Sequence, residues 1–467
     1  MLKRLISKLK KNSPSALNEA QIIERENHTV SRSQISDNAL KVLYRLNGAG
    51  FDSYLVGGGV RDLLLGESPK DFDIVTNATP EEVNRLFRNS RLIGRRFKLV
   101  HVVYGRDMIE VATLRGHHEN AKGKQQAKQS ESGMLLRDNV YGTIDEDAIR
   151  RDFTINALYY DVSDFSVHSY AQGIDDLNKR RLVLIGDPAT RYREDPVRML
   201  RAVRFAAKLD FTIEKKTAQP IKELALLLRD IPAARLFEEV LKMFMAGHAH
   251  ATFELLEKYN LFAQLFPHTQ QCINEQEKYR NLVVHALNNS DARIAQGKSL
   301  TPAFIYSVFL WPCLLETAKT LQSQGVPAVP ALHQAAADVI SNQQTHTTIP
   351  KRFMIPMREI WDLQRRLERR LPKQLESTIG HARFRAAYDF LLLREQNGEQ
   401  LDNAGDWWTD YQVQNPDALF QGREPSRFNS RNRNRNRSRN GNGKGPQRED
   451  DGPHRISRPS SRKPKRD

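Results

Sequence analysis

The apolar positions of this chain change their spacing near Tyr170. Before it they come in short runs punctuated by glycine, proline and asparagine, the pattern of strands with short helices between them. After it they recur every three to four residues, the pattern of successive amphipathic helices. The order predicts an α+β protein: a small mixed sheet first, helices afterwards. Residues 13–35 are polar and read as irregular. A helix is predicted from Ser36 or Asp37, both good N-caps, with Leu40, Leu43, Tyr44 and Leu46 on one face and Gly48 and Gly50 at its end. Thr79-Pro80-Glu81-Glu82 predicts a second helix through Phe87, with a cap, a first-turn proline and early acids. Residues 97–104 and 108–114 read as two strands joined near Gly105. Residues 116–133 are polar and read as a mobile loop. In the helical half, breaks are expected near Pro267, Pro302, Pro327, Pro330, Pro350 and Pro356.

One stretch of the strand-rich half carries chemistry. Leu55-Val56 runs into Gly57-Gly58-Gly59, then Val60-Arg61-Asp62, and a second strand follows through Asp71-Phe72-Asp73-Ile74. Consecutive glycines let a backbone approach a ligand closely, and amides that open a helix attract phosphate. Arg61 can add a forked, charged contact. Asp71 and Asp73 are two apart on a strand, so they share a face, while Phe72 and Ile74 take the other. Two carboxylates side by side call for a cation between them, and Mg²⁺ suits one or two carboxylates plus substrate phosphates. A glycine turn or an Asp-x-Asp alone is an ordinary loop; together and in this order they read as nucleotidyl transfer.

Other candidates are more open. Glu110 lies between Ile109 and Val111 and is either a third carboxylate or a solvated edge residue. Arg150-Arg151-Asp152 through Asn156 is either a surface ion-pair cluster or a ribose and phosphate contact. Asp195-Pro196 opens a helix carrying Arg198 and Arg201, and an Asp and an Arg one turn apart can offer an acceptor and a donor to a base edge. His248 and His250 read as helix-end residues. Trp407 and Trp408 read as core packing or as base-stacking groups.

Composition sharpens the partner. The 467 residues carry 72 Lys+Arg against 56 Asp+Glu, a net charge of +16. Residues 423–467 hold 15 Lys/Arg and five Asp/Glu, so most of the excess sits in a tail rich in Arg-Asn repeats. Such a segment cannot bury enough surface to fold alone, but it can neutralise phosphates without sequence preference. Met1–Asn12 pairs Leu2, Leu5, Ile6 and Leu9 with five Lys/Arg, either a frayed basic terminus or a helix that touches anionic membrane. The two cysteines, Cys272 and Cys313, form no disulfide framework, which fits a reducing cytoplasm.

Three stretches, Gly57–Asp73, Arg150–Asn156 and Glu194–Arg201, together resemble the class II nucleotidyltransferases, the superfamily of bacterial poly(A) polymerases and tRNA CCA-adding enzymes. Leu92-Ile93-Gly94-Arg95-Arg96-Phe97 through Val102 resembles the segment that marks the poly(A) polymerases. Ile349–Arg352 and Phe384–Asp389 extend the likeness into the helical half. The resemblance implies a nucleotidyltransferase head over residues 36–170, after a basic N-terminal segment 1–35. It implies a helical neck over 171–235 that binds the nucleotide base and RNA, a helical body over 236–420 that binds RNA, and a disordered Arg-rich tail over 421–467. It implies that Asp71 and Asp73 hold two Mg²⁺ (Mn²⁺ as a substitute), that Asp152 is an active-site acid, and that Glu110 or Asp152 is the third metal carboxylate. Gly57, Gly58, Arg61 and Arg150 would meet the ATP phosphates and ribose; Asp195, Arg198 and Arg201 would meet its base. The activity implied is template-independent polyadenylation of RNA 3′ ends by a cytoplasmic monomer, marking RNA for decay with Hfq, RNase E and other degradosome components. A tRNA CCA-adding enzyme and a non-catalytic RNA-binding regulator are the rivals; the lack of a His-Asp dipeptide and the long basic tail speak against the first.

The tail generates a first prediction. Deleting residues 423–467 is expected to weaken RNA binding and to flatten its dependence on salt, because fewer counterions are released. Titrations at several salt concentrations measure the slope, and an unchanged slope removes the tail from binding.

Overall fold

A computed structural model describes residues 20–94, 98–116 and 140–419, together with the backbone of 127–129 and 135–138. The basic N-terminus, Arg95-Arg96-Phe97, most of the polar loop after Gly116 and the arginine tail lie outside the described residues.

Among the described residues twelve strands are formed: β1 (Gln21–Ile23), β2 (Ser53–Val56), β3 (Asp73–Thr76), β4 (Ser90–Ile93), β5 (Leu99–Tyr104), β6 (Asp107–Thr113), β7 (Ala127–Gln129), β8 (Leu135–Asp138), β9 (Leu158–Asp161), β10 (Val167–Ser169), β11 (Arg181–Leu182) and β12 (Thr212–Ile213). Eight build one sheet in the order β1-β10-β9-β2-β3-β6-β5-β4. Its ladders are antiparallel except β3 on β6, which is parallel. The parallel pair needs a crossover, and the Pro80–Leu86 helix supplies part of it. That helix begins where expected, with Thr79 and Glu82 in a reciprocal capping box. Ser36 likewise caps Asp37–Gly48 through the Ala39 amide.

Two segments differ from the sequence reading. Residues 13–35 were expected to be irregular, yet Gln21–Ile23 is the sheet's edge strand, paired with Val167–Ser169, and Val30 and Ile35 are buried. A three-residue edge strand with polar neighbours leaves no alternation to detect. Within the expected mobile loop, Ala127–Gln129 pairs with Leu135–Asp138 as a hairpin.

The helices from Pro188 onward share one large core with the sheet. Pro267 and Pro302 open helices at the first turn, and Pro327 and Pro350 sit at N-caps, so four of the expected breaks fall between helices. Pro330 and Pro356 do not break anything. Pro330 falls in a first turn, where its missing N–H has no helical partner to lose. Pro356 removes one ladder bond, but Met357, Ile360, Trp361, Leu363 and Leu367 bury one face of Lys351–Arg369 and carry it through. Trp408 is fully buried and donates from Nε1 to the Leu367 carbonyl, so of that pair it is the core residue, while Trp407 stacks on Tyr411. Cys272 and Cys313 are free thiols whose sulfurs lie 4.0 Å apart.

The sheet and the Val197–Leu209 helix are joined by buried charge. Asp152 Oδ2 accepts from Arg201 Nε at 2.7 Å and pairs with Nη2 at 2.6 Å, while Oδ1 accepts from the Phe153 amide and Asn156 Nδ2. Phe205, on the same helix as Arg201, has three guanidiniums over its ring: Arg204 at 4.4 Å, Arg201 at 5.1 Å and Arg61 at 5.3 Å. Such contacts are stronger where water is excluded.

Burial works against the Asp152 charge, but Arg201 and the hydrogen bonds outweigh it and hold the pKa at about 2. Because the folded value lies below that of an unfolded aspartate, the stabilisation is complete above about pH 4 and is lost as pH falls through about 2. Asp152→Asn is therefore expected to lower stability at pH 7 by about 2 kcal/mol, with the difference shrinking as pH falls toward 2. Urea unfolding across that range measures it; an equal loss at every pH rules out this linkage.

Candidate active site

Strand register assembles the carboxylates. Val56 pairs with Asp73 across β2–β3, and Asp73 pairs with Glu110 across the parallel β3–β6 ladder. Phe72 and Ile74 are buried, while Asp71 and Asp73 are exposed on the opposite side, as the period-two pattern requires. Glu110 is flanked by buried Ile109 and Val111 and is half-exposed. The condition on which it would be a third carboxylate, adjacency of its strand to the aspartate strand, is met. His101 stands directly across β5–β6, with Nε2 3.6 Å from Oε2.

The two aspartates are left without a partner of their own: among the described residues, neither Asp71 nor Asp73 takes a side-chain hydrogen bond or an ion pair, in contrast to Asp152. Water reaches Asp73, yet protein crowds it. That desolvation, then Glu110 and Asp71, outweigh the pull of Arg151 and raise its pKa to about 6. Hard, grouped oxygen donors that repel one another fit a divalent cation.

The glycine turn stands at the same end of β2. Gly57 has φ +72° and ψ −129°, a conformation that side-chain-bearing residues rarely adopt, and its carbonyl starts the Gly58–Leu64 helix by accepting from the Arg61 amide. A methyl group at Gly57 would come within 3.6 Å of Arg151 Nη1, so the Arg151 guanidinium borders this turn.

The arginines do not all go where the sequence suggests. Arg61 is buried with its nitrogens engaged: Nε and Nη2 donate to Asp62 Oδ1 and Nη1 donates to Asn156 Oδ1 at 2.6 Å. It braces the glycine turn against the Arg150–Asn156 segment rather than presenting a fork to the groove. Arg150 donates to the Gly116 carbonyl. Arg151, which sequence reasoning did not single out, is the one that borders the glycine turn. Asp147 and the Tyr159 hydroxyl each lie 2.9 Å from its Nε. The only signal was the Arg-Arg pair. The Ile144–Arg150 helix ends between its members, Arg151 is extended at ψ 167°, and the two side chains part.

Across from the sheet is a pocket of about 500 Å³ whose lining includes Asp152, Asp195, Arg198, Arg201, Arg235 and Glu239. Asp195, Arg198 and Arg201 are thus brought together with Asp152. Arg198 is held by the Arg191 carbonyl at 2.7 Å and Glu194 at 3.0 Å. Arg235, unremarked in the sequence, contacts Asp195 Oδ2 at 2.8 Å. A donor and an acceptor so fixed can read the edge of a base.

A second acidic group, Asp161, Asp164 and His168, lies at the other end of β9, where Asp161 pairs with Tyr54. Asp161 and Asp164 bind Ser163 and Ser166 in local turns, and no sequence motif points there.

The chain was compared with known proteins. Three family models match: the poly A polymerase head domain over residues 53–183, a probable RNA and SrmB-binding site of polymerase A over 210–273, and the polymerase A arginine-rich C-terminus over 324–441. A protein named Poly(A) polymerase I from Escherichia coli O6:H1 is 52% identical over 402 residues, covering 85% of this chain and 86% of that protein. A CCA-adding enzyme from Lactobacillus helveticus is 41% identical over 217 residues, covering 46% of this chain and 52% of its own length. A solved Thermotoga maritima CCA-adding enzyme, complexed with tRNA, shares the fold with a TM-score of 0.55 at 18% identity, covering 84% and 85% of the two chains. With the relative from Escherichia coli matched from head to body, the chain belongs to the bacterial poly(A) polymerase I family and is a nucleotidyltransferase enzyme.

Proposed function

We propose that the chain adds AMP from ATP to RNA 3′ ends without a nucleic-acid template, releasing pyrophosphate. The observation that carries this is the unpaired Asp71 and Asp73, with Glu110 alongside, beside the Gly57 turn, together with the pocket of about 500 Å³ lined by Asp195 and Arg198. The RNA 3′-oxygen bonds to the α-phosphorus of ATP as the bond to the β-phosphate bridging oxygen breaks. Two Mg²⁺ held by Asp71 and Asp73, with Glu110 as the third carboxylate, would activate the hydroxyl and steady the leaving pyrophosphate. The Gly57 and Gly58 backbone and the Arg151 guanidinium receive the triphosphate. Asp195 accepts from the adenine amino group and Arg198 donates to its ring nitrogen, so the protein takes the place of a template. Asp152 acts at one remove, fixing Arg201 at the pocket wall. The same reading has the enzyme tail RNAs for decay in the cytoplasm, with Hfq and RNase E as partners. Among the described residues no helix is long and apolar enough to cross a membrane.

Asp71→Ala and Asp73→Ala are each expected to abolish AMP incorporation while the circular dichroism spectrum and unfolding midpoint hold, because each removes a repelled carboxylate rather than a packed one. Full incorporation by either variant sinks the metal assignment.

A second experiment tests substrate choice. Purified protein with Mg²⁺ is given each labelled nucleotide separately, with either an unstructured RNA or a tRNA lacking its terminal residues. Long tails from ATP alone are expected. Addition limited to C, C and A on the tRNA makes it a CCA-adding enzyme, and no incorporation makes it a regulator.

A further inference from the structure

The helical body holds a crevice of about 520 Å³ that the chemistry above does not use. It opens where four helices meet: Glu277–Ala295, Pro302–Ser323, Lys351–Arg369 and Phe384–Gln396. Its volume lies within the roughly 300–1,000 Å³ of ordinary ligand sites, and clefts between helices are a common place for them.

Its lining has two characters. Phe304, Phe353, Ile360 and Leu392 give it apolar walls. Four arginines, Arg293, Arg352, Arg383 and Arg385, stand around it against one lining carboxylate, Asp389. Asp389 lies 3.1 Å from Arg385 and 3.7 Å from Arg293, and Glu359 takes Arg383 at 3.1 Å. Arg352 is exposed and, among the described residues, has no ion pair; its guanidinium lies 4.8 Å over the Phe353 ring. The crevice therefore keeps an excess of positive charge over an apolar interior, with one carboxylate able to accept a hydrogen bond.

Phosphate outside and a flat apolar face inside describe a nucleotide. Single-stranded RNA is held by stacking its bases on aromatic rings or guanidinium planes while arginines meet its phosphates. An apolar peptide would use the walls but leave the arginines unanswered.

We propose that this crevice is a second RNA subsite, taking one unstacked nucleotide of the strand whose 3′ end is being extended, with its base between Phe304 and Phe353 and its phosphate on Arg352. This rests on the RNA-tailing reading above. Arg352 ends the stretch Ile349–Arg352, and Arg385, Ala386 and Asp389 of Phe384–Asp389 also line it; no step of the reaction uses either stretch.

The test uses the full chain, oligoadenylates with 4-thiouridine at single positions, and the variants Arg352→Ala and Ala386→Leu, the second filling the crevice from its partly buried wall. Arg352→Ala is expected to weaken RNA binding roughly tenfold, as loss of one stacked, charged contact does, and to reduce the salt slope by about 0.7. Ala386→Leu should weaken RNA binding without changing the slope. In kinetics both should raise KM for RNA more than KM for ATP, and photo-crosslinks should map to Phe304 or Phe353. Unchanged RNA affinity in both variants, or crosslinks confined elsewhere, overturns the proposal. Crosslinks abolished by free AMP, with RNA affinity unchanged in the variants, would make this a mononucleotide site and also overturn it. Failure of the tailing reading shows separately, as wild-type protein that binds RNA but incorporates no AMP.

Discussion

The repulsion among Asp71, Asp73 and Glu110 is the constraint around which this molecule is built. A fold under selection for stability alone would pair these carboxylates or spread them apart. Here the β3–β6 ladder sets Asp73 beside Glu110, and the protein crowds the pair without supplying a salt bridge to Asp73. Asp152 is the contrast within the same chain. It is more buried than Asp73, yet Arg201 and three hydrogen bonds draw its pKa down to about 2 where Asp73 rises to about 6. The two environments separate a carboxylate left without an ion pair from one used as a joint.

That joint matters because the site is split between elements that fold differently. The carboxylates ride on a sheet, and Asp195 and Arg198 ride on helices. Asp152–Arg201 connects the two, and the Phe205 ring gathers Arg61, Arg201 and Arg204 beside it. Three cations around one ring would repel if left alone. Asp62 engages Arg61, Asp152 engages Arg201, and burial with Arg201 nearby lowers the pKa of Arg204 to about 10, still charged at neutrality. The junction is an array of charge that links the Asp71, Asp73 and Glu110 carboxylates to the pocket lined by Asp195 and Arg198.

Local pattern made part of this legible. Period two told Asp71 and Asp73 from Phe72 and Ile74, and caps told where helices begin at Ser36 and Thr79. What could not be read was set by partners distant in sequence. Glu110 becomes part of the group only through a parallel pairing with a strand 37 positions earlier, and nothing in Ile109-Glu110-Val111 names that strand. Arg61 looks like a phosphate ligand because it follows glycines; Asn156, 95 residues on, turns it inward. Arg150 and Arg151 are indistinguishable as letters, and only the helix end between them decides which one meets the glycine turn. Gln21–Ile23 is a strand because an edge was open, not because its own residues ask for one.

This division also explains why related chains can share the chemistry and differ in product. On the proposed reading the carboxylate group would act on phosphorus and ribose, which every nucleotide has, so it would impose no choice of base. On that reading choice comes from groups that would touch the base, and both of those proposed are braced: Asp195 by Arg235, and Arg198 by Glu194 and the Arg191 carbonyl. Each of the two has a second residue limiting its rotation. A free Asp and Arg could swivel to present other hydrogen-bond patterns and accept cytosine as well as adenine; a braced pair pays the ordering cost in folding and presents one pattern. On the proposed reading, selectivity for one nucleotide then depends on the neighbours of Asp195 and Arg198 as much as on these two residues themselves.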